Sequence, residues 1–159
     1  MKRKKHVFEL ADGLNTKMSF AVVANKEKFL KHKHAWKAWR LFKEFGCRVY
    51  PVAEDLARIE GCKGYSSLAE LRGTVDVVVL CVHLDLAPEI VEQTAAAGAF
   101  CIWFQEKNWT EEIDQQCQEK GLKVVRGCVL KHKIYLKPFA YFHPCFWHGI
   151  GQPKVPSKY

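Results

Sequence analysis

The 159-residue sequence lacks the features that mark a membrane-bound or secreted protein. It has no run of about eighteen apolar residues, which a membrane-spanning helix requires. Residues 1–17 are polar and basic, without the apolar stretch and small-residue cleavage site of a secretion signal. The seven cysteines are scattered singly, with no C-x-x-C pair, so no disulfide framework is indicated. We therefore expect a cytoplasmic protein with reduced thiols and no membrane segment.

Two common nucleotide-binding motifs are also missing. The loop after the first predicted strand, residues 24–34, contains no glycine, so it matches neither G-x-G-x-x-G nor G-x-x-x-x-G-K-[ST]. Glycines in those motifs let a phosphate approach the backbone closely. An ordinary dinucleotide site and a P-loop ATPase are therefore disfavoured.

Each third of the chain is dominated by charge of one sign, basic in the first and last thirds and acidic in the middle, and the net charge is +8. Residues 1–48 carry 13 Lys and Arg against 4 Asp and Glu, residues 49–119 carry 4 against 13, and residues 120–159 carry 8 against none. The two basic segments are compatible with a polyanionic partner, either a nucleic acid or a phosphorylated ligand. Charge alone does not choose between these two.

The apolar residues alternate between strand-like and helix-like periods, which is typical of successive βα units and a parallel sheet. Several predicted strands are nearly continuous apolar runs, as expected when a sheet is covered on both faces. The predicted strands are residues 19–24, 47–52, 75–82, 99–104 and 122–126. The pattern predicts one α/β domain with a Rossmann-like parallel sheet of about five strands and helices on both faces.

Helical patterns separate these strands. Residues 35–45, 88–97 and 110–120 each stop at a glycine, and Ser67 and Glu70 have the spacing of a capping box that opens a short helix. The resulting domain boundaries are a polar basic leader (1–17), the sheet domain (18–130) and an aromatic basic tail (131–159).

Side chains that follow the predicted strands meet at one edge of the sheet, where ligands of such sheets bind. The first loop supplies Lys26 and Lys28, with further lysines and two histidines, at the start of a helix. His83 follows the third strand and Gln105 follows the fourth. Phosphate binding by this edge and ordinary solvated loops both remain open at this point.

No nucleophile with a placed base is evident, so we expect a protein that is not an enzyme. His83, Asp85 and Glu89 are the one possible acid/base group, and such short-range neighbours are common by chance. An enzyme using His83 stays open as an alternative.

The tail contains three potential metal ligands, His143, Cys145 and His148. Their spacing fits no standard zinc site, so no metal is expected. The tail aromatics predict an apolar strap, packed over the domain or across a dimer, because exposing them is costly. Stacking of these aromatics on the bases of a single-stranded nucleic acid is a weaker alternative.

A series of stretches, taken in order, resembles the small stand-alone CoA-binding proteins, which are similar to the CoA-binding N-terminal domain of succinyl-CoA synthetase α-subunits. The likeness extends from Phe20 to Cys128. It is carried by FAVVA (20–24), LFKEFG (41–46), RVYPV (48–52), GCKGYSSLAEL (61–71), VDVV (75–78), PEIV (88–91), AGA (97–99), WFQ (103–105) and GLKVVRGC (121–128).

The resemblance implies a Rossmann-like fold that holds CoA along the carboxyl ends of the strands. Carried over by position, the phosphates would face Ala24, Asn25 and Lys26, and the basic loop adds Lys28. The adenosine would lie near Val52 and Ala53, and the remaining edge would comprise Val82, His83 and Gln105. The sequence departs from the family at Ala24, where the family usually has glycine, and at Glu54-Asp55, which replace a Val-Asn-Pro-Lys-like turn.

The leading hypothesis is therefore a non-catalytic protein that binds CoA, an acyl-CoA or a related adenine nucleotide. The first alternative is a Rossmann domain that has lost its ligand and contacts a protein partner or a second copy through its tail. Nucleic-acid binding through the basic segments ranks third.

Overall fold

The computed structural model describes residues 6–105, 108–136 and 138–156. Its strands are β1 (Ser19–Val23), β2 (Arg48–Val52), β3 (Arg58–Ile59), β4 (Cys62–Lys63), β5 (Val77–Leu80), β6 (Cys101–Phe104) and β7 (Lys123–Arg126). Five of them form one sheet in the order β2-β1-β5-β6-β7, with every neighbouring pair parallel. The prediction of a Rossmann-like α/β fold with a five-stranded parallel sheet is confirmed.

Helices cover both faces of this sheet. The α-helices of the described residues are α1 (Lys26–Leu30), α2 (His34–Glu44), α3 (Ala87–Ala96), α4 (Glu111–Glu119) and α5 (Pro144–His148), of which α5 buries no side chain in either core. Successive side chains of a strand point to opposite faces. Phe20 and Val22 thus pack in the same core as α2, while Ala21 and Val23 pack in the core that includes α3 and α4. This double burial explains why the central strands are continuous apolar runs.

Aromatic rings fill the core on the α2 side. The rings of Phe20 and Phe42 stack with their centroids 4.4 Å apart, and Phe42 meets Trp103 edge-on at 5.8 Å. The indole N–H of Trp103 donates to the Gly127 carbonyl at 2.8 Å, so this buried ring keeps its polar atom paired.

Several short elements were not predicted. Among them, the first loop contains the helix α1, an antiparallel pair, β3 with β4, follows β2, and the tail contains the helix α5. Helix α1 has five residues and β3 and β4 have two each, too few to show a period in the sequence. The strand predicted at residues 75–82 is also shorter, since β5 covers only Val77–Leu80.

The segments flanking the predicted sheet domain contribute to the same core. Leu10 and Leu14, from the predicted leader, are fully buried. Val155, from the tail, is also fully buried, and its N–H donates to the His132 carbonyl at 2.8 Å. Apolar side chains in these segments therefore anchor them to the α2 face. In the described residues, no helix combines the length and apolar character needed to cross a membrane.

Candidate functional site

Two cavities open along the carboxyl ends of the parallel strands. The large cavity, about 490 Å³, lies at the ends of β1 and β2. The small cavity, about 250 Å³, lies where the chain leaves β5, β6 and β7. Val82 lines both, so the two cavities are neighbours on one edge of the sheet.

Five of the predicted binding residues line the large cavity: Ala24, Asn25, Val52, Ala53 and Val82. The backbone explains why they meet. The Ala24 N–H donates to the Val52 carbonyl at 3.0 Å, which extends the β1–β2 pairing past the end of the strand. The Ala53 N–H donates to the Tyr65 carbonyl at 2.9 Å, which holds the turn after β2 beside the loop after β1.

The wall of the large cavity is neutral or acidic. Glu54 and Glu89 line it together with Ser66, Ser67 and Gln93, and within the described part of the chain no Lys, Arg or His does. The capping box predicted at Ser67 holds this wall in shape. The Glu70 carboxylate accepts from the backbone N–H of Ser66 at 2.7 Å and of Ser67 at 3.4 Å.

The lysines of the first loop point in different directions. Lys31 and Lys33 are exposed and face the Glu27 carboxylate, and the hydrogen bond from Lys31 is the main cause that lowers the pKa of Glu27. Lys26 is exposed and lines neither cavity. Lys28 alone turns inward, and its ammonium donates to the Cys81 carbonyl at 2.7 Å. Lys28 is therefore the lysine of this loop that lines the small cavity.

Gln105 and two residues that the sequence analysis had not singled out as ligand contacts, His34 and Asn108, surround the small cavity. The Gln105 side-chain oxygen accepts from the Val129 N–H at 3.0 Å and lies 3.2 Å from His34 Nε2. The Asn108 side-chain N–H₂ donates to the carbonyls of Leu80 at 3.2 Å and Val82 at 3.1 Å. The signal that could have revealed Asn108 is its place shortly after β6, beyond Gln105.

A buried thiol also lines the small cavity. Burial raises the pKa of Cys81 to about 12, and the nearby charge of Lys28 only partly opposes this rise. The thiol therefore stays protonated at neutral pH, when it is a poor nucleophile.

The predicted acid/base residues are divided between two places. His83 and Asp85 form an exposed pair, with Nδ1 of His83 3.0 Å from a carboxylate oxygen of Asp85, and neither residue lines the large or the small cavity. Glu89 lines the large cavity instead. His83 is thus placed outside the two cavities that hold the other predicted edge residues.

The tail residues have structural contacts. His143 caps α5, because its Nδ1 accepts from the Cys145 N–H at 3.2 Å, and its ring stacks on Tyr135. Among the described residues there is no group of three or more potential ligands arranged to hold a metal ion. The strap packs on the domain through Val155 and Ala140, while other apolar side chains remain outside, notably those of Leu136, Phe139 and Phe142.

Comparison with known proteins agrees with this geometry. The model of the CoA binding domain family matches residues 19–133. An uncharacterized protein of Bacillus subtilis (strain 168), YneT, is 27% identical over 92 residues, which are 58% of this chain and 68% of that protein.

Solved structures share the fold. A hypothetical protein from Pyrococcus horikoshii OT3 is 27% identical with a TM-score of 0.61, covering 80% of this chain and 92% of that one. A conserved hypothetical protein from Pyrococcus furiosus is also 27% identical with a TM-score of 0.61, and the match covers 69% of this chain and 92% of that one. An acetyl-coenzyme A synthetase from Ca. Korarchaeum cryptofilum is 21% identical, with a TM-score of 0.56 over 67% of this chain and 25% of its own. At this identity the likeness shows the fold alone. With the family model matched over most of its length, this chain belongs to the CoA binding domain family.

Proposed function

We propose that this protein is a non-catalytic binding protein for CoA, an acyl-CoA or a related adenine nucleotide. One observation carries the proposal: five residues placed at the ligand by resemblance line a single 490 Å³ cavity at the carboxyl edge of the sheet. A cavity of this size at this edge is where such folds take small ligands. Membership of the family supports CoA as the ligand class.

The lining of the large cavity offers suitable contacts for a nucleoside. Val52 and Ala53 provide an apolar wall for a base, and Asn25, Ser66 and Ser67 provide polar groups for hydroxyl or phosphate oxygens. Lys28 lines the adjoining small cavity together with Val82. A phosphate chain that extends past Val82 would therefore enter the cavity that holds this ammonium group. Binding would thus combine apolar packing with a small number of polar contacts.

A binding role is favoured over catalysis by the placement of the candidate acid/base residues. His83 and Asp85 pair on the surface, with side chains 76% and 83% exposed. Cys81, the thiol at the edge, has its pKa raised to about 12 by burial.

We also propose a reducing, cytoplasmic environment, since none of the seven cysteines, all within the described residues, forms a disulfide.

The direct test is a thermal-shift titration with CoA, acetyl-CoA, dephospho-CoA, NAD, ATP and a short oligonucleotide, followed by calorimetry. A ligand at a hundred times its dissociation constant stabilises the fold by about 2.7 kcal/mol, and therefore by several degrees. A selective shift with CoA or another adenine nucleotide is expected. A cooperative melt that none of the small ligands shifts would overturn the proposal, and a shift by the oligonucleotide alone, steeply dependent on salt, would replace it with nucleic-acid binding.

The tail favours a second role in protein contact. Leu136, Phe139 and Phe142 are 81%, 77% and 84% exposed, an unusual display for a soluble surface. We propose that this surface contacts a second copy of the chain or another protein. The double variant Phe139→Ser and Phe142→Ser should lower the mass measured by light scattering if the contact is a dimer. A monomeric wild-type protein whose partners in a cross-linking experiment are unchanged in the variant would rule out this role.

A further inference from the structure

A third cavity lies between α2 and the tail, and we call it the tail cavity. Its volume is about 370 Å³, and none of its lining residues lines the large or the small cavity. Helix α2 contributes Trp36, Lys37, Arg40, Leu41 and Glu44, and the chain after β7 contributes Leu130, Lys133, Tyr135 and His143. The match to the family model ends at residue 133, so Tyr135 and His143 lie beyond it. The tail cavity is therefore separate from the carboxyl edge of the sheet.

Contacts within the chain hold both walls of the tail cavity. The α2 residues recur at intervals of three and four positions, so they lie on one face of the helix. The ring of Trp36 stacks on His32 with the centroids 4.2 Å apart, and its indole N–H donates to a Glu60 carboxylate oxygen at 2.8 Å. In the tail, the ring of Tyr135 stacks on His143 at 4.8 Å. Walls held in this way lower the entropic cost of binding a ligand.

The charges of the lining select an anion. Lys37, Arg40 and Lys133 carry three positive charges, and among the described lining residues Glu44 carries the one negative charge. Arg40 lies 3.8 Å from a Glu60 carboxylate oxygen, whereas Lys37 and Lys133 form no ion pair with any acidic side chain of the described chain. A cationic ligand would meet one carboxylate and three like charges. An anion is therefore the favoured ligand.

The apolar part of the lining and the volume restrict this anion further. Leu41 and Leu130 line the tail cavity together with the rings of Trp36 and Tyr135. A bare anion leaves these groups facing water, whereas a ligand with an apolar body covers them. At ~30 Å³ for each water-sized group, the cavity holds roughly a dozen non-hydrogen atoms. A single ring with one anionic group has this size, and a nucleotide is about twice as large.

We propose that the tail cavity binds an aryl phosphate, a single aromatic ring that carries a phosphate group. The ring packs against the leucines and aromatic walls, and the phosphate pairs with Lys37, Arg40 and Lys133. A phosphate monoester carries a charge of about −1.5 to −2 at pH 7, close to the formal +2 of the lining, whereas a carboxylate supplies a single charge. The proposal does not depend on CoA binding, because the cavities share no lining residue.

Titration of the ¹⁵N-labelled full chain with phenyl phosphate tests this proposal. The reporter is the indole N–H resonance of Trp36, assigned with the variant Trp36→Phe. We expect a saturable shift of this resonance. Inorganic phosphate, which has the charge alone, and phenol, which has the ring alone, should each bind at least tenfold more weakly. The proposal is overturned if phenyl phosphate gives no saturable shift, or if either fragment binds as tightly as the whole ligand.

A charge reversal tests whether the lining itself binds the phosphate. Lys37→Glu changes an exposed position of α2 and should weaken phenyl phosphate binding at least tenfold with little change in melting temperature. Lys17→Glu makes the same change at an exposed position that lines none of the three cavities, and its affinity should stay within twofold of wild type. Equal losses in the two variants would show that the net charge of the protein, and not this cavity, attracts the ligand.

Discussion

The two cavities share Val82 but differ in charge. The large cavity is lined by two carboxylates, those of Glu54 and Glu89, and by no positively charged side chain among the described residues. The small cavity is lined by Lys28 and His34, and no described Asp or Glu lines it. One edge of a single sheet therefore offers an acidic or neutral half and a basic half.

This difference shows that a lysine-rich stretch of the sequence does not by itself reveal which of its side chains lie at the binding edge. The first loop is rich in lysine, yet Lys31 and Lys33 face Glu27 on the surface and Lys28 crosses to the carbonyl of Cys81. The resemblance implies phosphates beside Ala24, where the cavity wall instead carries Glu54. For an anionic ligand, the basic half of the edge is electrostatically the more favourable one.

The largest effect is expected from filling the large cavity. Ser66→Trp places an indole at an exposed position of its wall, so CoA should bind about a hundredfold more weakly in calorimetry while the melting temperature changes little. Ala69→Trp, an exposed position nearby that lines neither cavity, is the matched control. Equal affinities for the two variants would show that the large cavity is not the nucleotide site.

Alkaline pH tests the small cavity through its thiol. The pKa of Cys81 is raised by burial to about 12, above its ordinary value of 9.0. Below pH ~8 the thiol is protonated in both the folded and the unfolded chain, and its contribution to stability is complete. As pH rises further, the unfolded chain loses this proton and the folded chain does not, so the free energy of unfolding falls, by about 1 kcal/mol at pH 10.

Denaturant unfolding of wild type and Cys81→Ala between pH 8 and pH 10.5 measures this effect. The variant should lose less stability over the range, because one buried thiol is gone. Identical pH profiles would mean that Cys81 is accessible to water and that the small cavity is more open than its geometry indicates.

The acidic half of the edge is tested by reversing one charge. Glu54→Lys should strengthen CoA binding about tenfold and dephospho-CoA binding by less, because CoA carries one more phosphate, and the gain should shrink in high salt. Glu119→Lys makes the same change on an exposed position of α4, outside both cavities. If Glu54→Lys weakens CoA binding, the carboxylate contacts the ligand directly, for example through a ribose hydroxyl.

The smallest effect is expected at His83. This side chain lines neither cavity and is largely exposed, so His83→Ala should change the affinity for CoA by less than twofold. A loss of tenfold or more, measured by the same calorimetry, would place the ligand beyond both cavities and remove the basis of the comparison.

Much of the fold was readable from the sequence because burial imposes simple patterns. The run around Val77–Leu80 is apolar on both sides since both faces of β5 are covered, and the glycines after α2, α3 and α4 end those helices. Helix α1 and the β3–β4 pair were missed because each is shorter than one readable period.

The site was only partly readable. Gln105 was placed at the edge because it follows a predicted strand and parallel strands align their carboxyl ends, whereas Ala24 and Val52 were placed there by the resemblance. The direction of Lys28 depends on a carbonyl 53 positions away, and the pairing of Gln105 depends on Val129, which follows another strand. Such long-range contacts leave no local pattern, so the division of the edge into two cavities required the structure.

The strand order also sets a length. Ala53 follows β2 and Gln105 follows β6, and three strand intervals separate β2 from β6 in the sheet. At about 4.8 Å per interval these residues are roughly 14 Å apart across the strands. A nucleoside alone is too short to touch both, whereas a chain of twelve bonds, equivalent to four extended residues, reaches ~14 Å. A ligand that contacts both Ala53 and Gln105 therefore needs an arm of about this length, whereas a shorter ligand that reaches both cavities is confined to their junction at Val82.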